Sequence, residues 1–130
     1  MIVDTSALVA IVRKEPQARR CLDRIFDTQM RRISAANLLE TYMVIDGAGV
    51  SEESAALDAT ISDLRLVIVP VMSEHVTVAR EAFRQYGKRS GHSARLNFGD
   101  CFAYALAKAR NEPLLFIGDD FSRTDITPAL

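Results

Sequence analysis

Four short apolar runs, spaced by longer helical stretches, restrict this chain to a small set of folds. They are Ile2-Val3, the weaker Arg32-Ile33-Ser34-Ala35, Leu66 to Val71 and Leu114 to Ile117. The run Leu-Val-Ile-Val-Pro-Val is too short for a core helix and reads as a buried strand. Helices are expected from Thr5 or Ser6 up to Pro16, from Gln17 to Thr28, and from about Leu38 to Asp46. Further helices are expected from Ser51 to Leu64, from Ser73 to about Tyr86, and from Asp100 to Arg110. A last short strand is expected around Ile126, and Gly87 to Gly99 reads as a long loop. Strands that alternate with helices form a parallel sheet with both faces covered, because parallel neighbours need crossover connections. The expected fold class is therefore α/β, and ligands should collect at the carboxyl ends of the strands.

The length of 130 residues suits one domain, 1–130, with a core large enough to need no disulfide. A net charge of −1 means that any nucleic-acid contact must come from a local basic patch. Cys21 and Cys101 lie in no zinc-like spacing and read as small buried hydrophobes of a reducing compartment. No leader precedes Ile2, and no run reaches the ~20 apolar residues that span a bilayer. A cytoplasmic protein without a membrane partner is expected.

The strand-end rule draws attention to four acids. Asp4 follows the first strand and Asp119, with Asp120 beside it, follows the Leu114 to Ile117 strand. Glu40 and Asp100 lie near the starts of helices expected to point at the same rim. Each has a purely structural alternative. Asn37-x-x-Glu40 resembles a capping box, Asp4 and Asp100 could cap helices, and Asp119-Asp120 could be turn residues. Together they suggest more. Carboxylates ~4 Å apart repel by ~4 kcal/mol at an effective dielectric near 20, so a cluster calls for cations. Mg²⁺ and Mn²⁺ prefer oxygen ligands and can activate water against a phosphodiester.

These same residues carry a family resemblance. Met1-Ile-Val-Asp4-Thr-Ser-Ala-Leu8 looks like the opening of PIN-domain VapC toxins. Asn97-Phe-Gly-Asp100-Cys-Phe-Ala-Tyr-Ala-Leu-Ala107 resembles their third acidic motif, and Leu114-Leu-Phe-Ile-Gly-Asp-Asp-Phe-Ser-Arg-Thr-Asp-Ile126 their C-terminal motif. The resemblance implies a PIN-like three-layer α/β/α fold with a central parallel sheet of four to five strands. It implies an endoribonuclease dependent on Mg²⁺ or Mn²⁺ that cleaves RNA by metal-activated water. Asp4, Glu40 and Asp100 match the family's first three acids; Asp119 is preferred as the fourth, with Asp120 the alternative. Asp4 and Asp100 would hold the principal ion. Thr5 or Ser6 would orient Asp4 or the water, and Asn97 would border the site.

A homodimer and a cognate VapB-type antitoxin are also implied, with Ile11, Val12, Leu22, Phe26 and the Leu38 to Val44 stretch offering a groove. The RNA would be gripped by Arg80, Arg84, Lys88, Arg89 and Arg95 around the long loop. His75 and His92 read as structural or incidental. The alternative function is a non-catalytic PIN-like RNA- or protein-binding module. A haloacid-dehalogenase-type phosphatase would need Asp where Ser6 stands, and a receiver module would need a central strand-end Asp that Leu66 to Val71 lacks.

Overall fold

The computed structural model describes all residues, 1–130. Four parallel strands, β1 (Ile2–Val3), β2 (Arg32–Ser34), β3 (Val67–Val69) and β4 (Leu114–Leu115), form one sheet in the order β3-β2-β1-β4. Register pairs Ile2 with Arg32 and with Leu114, and Ile33 with Ile68. Each crossover carries two helices. These are α1 (Thr5–Val12) and α2 (Ala18–Phe26), α3 (Ala35–Asp46) and α4 (Ser51–Leu64), then α5 (Ser73–Tyr86) and α6 (Phe98–Arg110). This is the PIN-like three-layer arrangement with a four-stranded sheet. No helix is long and apolar enough to cross a membrane.

Alternation along the central strands divides the core in two. Ile2 and Leu114 enter one cluster with Tyr86, Leu96, Tyr104, Leu106 and Phe121, under α5 and α6. Val3 and Leu115 point the other way, into a cluster with Leu8, Ile11, Cys21, Ile25, Ile33 and Leu38. Successive side chains on a strand face opposite sides, so two-residue strands suffice to seed both layers. Both cysteines are free and buried, as their spacing suggested.

Several expectations are corrected. The Leu66 to Val71 run forms only a three-residue strand at the sheet edge, with Val67 46% and Ile68 51% exposed. β-branched residues signalled the strand, but its place in the sheet depends on where the crossovers put it. No strand forms at Ile126. The tail makes one bridge, Leu114 with Pro128, and proline has no N–H to extend the ladder. Helix α3 starts at Ala35, not Leu38, because the Ser34 hydroxyl accepts from the Ala36 N–H at 3.3 Å. The long loop ends at Asn97, which caps α6. A bridge between Gly87 and Leu96 pins that loop, and its Ala94 and Leu96 are buried in the core.

Candidate metal-dependent active site

Three chain features deliver carboxylates to one rim. Asp4 leaves β1 and caps α1; the Ser6 N–H (2.9 Å) and Ser6 hydroxyl (2.6 Å) both donate to its Oδ2. The Ser6 hydroxyl also accepts from the Ile117 N–H at 3.0 Å, tying this turn to the end of β4. Asp100 sits three residues into α6 from Asn97. The Asn97 side chain accepts from the Asp100 N–H (2.9 Å), and Asp100 Oδ2 accepts from the Asn97 N–H (2.7 Å). Glu40 lies in the second turn of α3, where its Oε2 accepts from the Thr5 hydroxyl (2.6 Å) and the Asn37 side-chain amide (3.3 Å). Each of the three carboxylates thus has one oxygen tethered by protein donors.

These side chains line a single cleft of about 270 Å³ with Thr5, Ser6, Asn97 and Asp120; Val9, Val44, Ile117 and Phe121 complete it. Asp120 is the fourth acid of this cleft. Asp119, the residue preferred from sequence, is absent from its walls, and its backbone carbonyl accepts from the Ser122 hydroxyl. Of Thr5 and Ser6, the two candidates for orienting Asp4, Ser6 does so and Thr5 holds Glu40, because neighbouring helix positions point in different directions. One smaller reading changes. Asn37 is no cap, although its side chain does reach Glu40; Ser34 caps the helix.

None of Arg80, Arg84, Lys88, Arg89 and Arg95 lines the cleft. All five are exposed, Arg84 pairs with Glu81 at 3.0 Å, and Arg80 lies in an apolar groove between α5 and α6. Of the expected partner groove, Ile11, Val12 and Leu38 belong to the core and Leu22 is half-buried, whereas Phe26, Leu39, Met43 and Val44 are exposed. His75 is buried, its Nδ1 accepting from the Met72 N–H, and the His92 Nδ1 accepts from the Ala94 N–H. Sequence reasoning missed Gly99. A Cβ there would overlap the Glu40 carboxylate, so glycine is what lets Glu40 stand where it does against α6.

The electrostatics follow from burial. Desolvation raises Asp4, with Glu40 adding repulsion and the Ser6 hydrogen bonds opposing it. Asp100 is pushed up to about 7, chiefly by burial and further by Asp4, Asp120 and Glu40. The metal-free folded state therefore holds protons that the unfolded chain releases near pH 4. For Asp100 that contribution to stability is complete below about pH 4 and disappears as pH rises through about 7; Asp4 adds to it in the same direction. Glu112 and Asp125, held low by ion pairs, lose their contribution only below about pH 4. Melts in EDTA should show Tm falling between pH 5 and pH 8, and Mn²⁺ should restore more Tm at pH 8 than at pH 5. A metal-free Tm that rises over this interval would contradict these assignments.

As they lie, no three His, Cys, Asp or Glu side chains converge on one ion-sized point. Each carboxylate is instead tethered through one oxygen to its own donors. The donor set nonetheless fits a hard divalent cation. The Asp4 Oδ1 is buried with no hydrogen-bond partner from the protein, and an ionised carboxylate oxygen left free in this way suits a hard cation as ligand.

The parallel sheet carries an acidic cleft at its carboxyl rim, and the family model for the PIN domain matches residues 1–126. The chain belongs to the PIN-domain family, and within it to the VapC ribonucleases. It is 45% identical to Ribonuclease VapC28 of Mycobacterium tuberculosis over 130 residues, covering 100% of this chain and 98% of that protein. It is 42% identical over 126 residues to Ribonuclease VapC of Mycolicibacterium smegmatis, covering 97% of each. Among solved structures, VapBC2 from Rickettsia felis bound to a promoter DNA fragment is similar in fold. Its TM-score is 0.76 at 18% identity, covering 98% of this chain and 94% of that one. Mycobacterium tuberculosis VapC20, described as a sarcin-ricin loop cleaving toxin, gives a TM-score of 0.73 at 18% identity, covering 97% and 95%.

Proposed function

We propose that this chain is the toxin of a VapBC-type toxin–antitoxin pair, a Mg²⁺- or Mn²⁺-dependent endoribonuclease acting at the cleft of Asp4, Glu40, Asp100 and Asp120. The observation that carries this reading is that those four carboxylates, from positions 4 to 120, line one cleft in whose wall an Asp4 oxygen is buried and unpartnered. The whole chain, 1–130, serves as one PIN domain in the cytoplasm. Full-length relatives named as VapC ribonucleases support the activity. The complete acidic set speaks against a non-catalytic binding module.

Asp4 and Asp100 would hold the principal ion, with Glu40 and Asp120 completing the pocket. When bound, the cation supplies charge that draws in a phosphodiester and makes a water a stronger acid. The chain's own residues do the rest. Ser6 fixes the Asp4 carboxylate and Asn97 fixes Asp100, while Val9, Val44, Ile117 and Phe121 complete the walls. A cleft this acidic repels RNA until it is neutralised, so the exposed Arg80, Arg84, Lys88, Arg89 and Arg95 would grip phosphates flanking the cleavage point. A VapB-type antitoxin and a second copy of this chain are the partners in this reading. The exposed Leu39, Met43, Val44 and Phe98, next to the cleft, supply apolar surface for such contacts.

The test uses purified protein with total bacterial RNA. Discrete cleavage is expected in Mg²⁺ or Mn²⁺ and none in excess EDTA. Intact RNA in both ions, with a protein shown to be folded, would overturn the reading.

A further inference from the structure

We infer that Asn37 is a positioning residue that sets the Glu40 carboxylate, and through it the cation affinity of the cleft; this rests on the metal-dependent reading above. Asn37 is completely buried in the first turn of α3. Its side-chain amide donates to the Gly99 carbonyl at 3.0 Å and to Glu40 Oε2 at 3.3 Å. It therefore links Glu40 to the first turn of α6, one residue before Asp100. The Asn37 backbone carbonyl accepts from the Thr41 hydroxyl at 2.8 Å and lies 3.1 Å from the Thr5 hydroxyl that donates to Glu40.

The amide orientation is fixed by its surroundings. Reversed, its oxygen would face both the Gly99 carbonyl and the Glu40 carboxylate, two acceptors. In the orientation that works, the Asn37 Oδ1 is buried with no partner. A buried amide with an unsatisfied oxygen is a poor way to hold two helices together, because an apolar side chain of similar size leaves no polar atom stranded. What asparagine adds is two donors aimed in fixed directions. With Thr5, it occupies Oε2 of Glu40 and leaves Oε1 without a donor. Gly99, whose Cβ would overlap the carboxylate, leaves the room for this arrangement.

A residue acting only on packing would lower stability and leave ion binding alone. A residue acting through Glu40 does something different. Removing groups that orient ligands costs roughly 10–100-fold in metal affinity or activity. The experiment is a double-mutant cycle on the full chain, with Mn²⁺ affinity measured by calorimetry and melting temperature recorded alongside. Asn37→Ala should weaken Mn²⁺ binding about tenfold in the native background and lower kcat more than it raises KM. In an Glu40→Gln background it should weaken Mn²⁺ binding no further, because the carboxylate it positions is gone. Should Asn37→Ala fail to fold, Asn37→Ser keeps a donor of shorter reach and carries the same comparison. Unchanged Mn²⁺ affinity in a folded Asn37 variant, or an equal loss in both backgrounds, overturns the inference. Failure of the native protein to bind Mn²⁺ overturns the metal-dependent reading itself, and this inference with it.

Discussion

Asp100→Asn is expected to reduce RNA cleavage by at least about 10²–10³-fold while raising the melting temperature of the metal-free protein. The two effects have one origin. Asp100 is held at about 7 by burial and by Asp4, Asp120 and Glu40, so at neutral pH part of its charge is kept against its surroundings. Asparagine has the same shape and can still accept from the Asn97 N–H, so the α6 cap survives. After allowance for solvent screening, the repulsion relieved is on the order of 1–2 kcal/mol. The ligand oxygen, by contrast, is lost outright. Asp4→Asn should abolish cleavage too, but without a comparable gain. Asparagine can keep the α1 cap through Ser6, but its NH2 would take the buried Oδ1 position, where no protein acceptor faces it. Cleavage assays and EDTA melts on both variants check this, and an active Asp100→Asn protein would refute the role assigned to that carboxylate.

Gly99→Ala should produce a protein that folds and does not cut. The added methyl would overlap the Glu40 carboxylate, which is the movable end of a flexible side chain. Glu40 gives way rather than the backbone. Its hydrogen bonds from Thr5 and Asn37 are then broken or lengthened, and its position shifts by about an ångström. Misplacement on that scale costs on the order of 10²-fold in rate. Stability has an opposing gain, because alanine favours a helix over glycine by roughly 1 kcal/mol. The expected result is a Tm close to the native value with RNA cleavage reduced about 10²-fold. A fully active Gly99→Ala protein would show that Glu40 need not stand where the structure puts it.

Much of the sheet and part of the site could be read from the residues alone, and the failures have definite causes. Asp4 and Asp100 were legible because they border strongly apolar segments, and the strand-end rule needs only that. The choice between Asp119 and Asp120 was not legible. Both follow β4, and which one turns inward depends on the chain after Gly118, whose φ is +106°. The partner of Thr5 was also hidden. On a helix the side chains of Thr5 and Ser6 diverge, so one reaches Glu40 across the cleft and the other returns to Asp4. Composition made Val67 and Ile68 look buried, yet burial is set by strand order, which the crossovers decide. The Asn37–Gly99 contact joins positions 62 apart and has no local signature.

The pairing of β1 with β4 also makes the cleft depend on a contact between residues far apart in sequence. β1 lies between β2 and β4, and Ile2 meets Leu114 across nearly the whole chain. Contacts so distant in sequence carry a loop-closure cost and slow folding. A fragment stopping before β4 would lack both the strand that flanks β1 on one side and the Asp120 wall of the cleft, so the first three acids alone do not build that pocket.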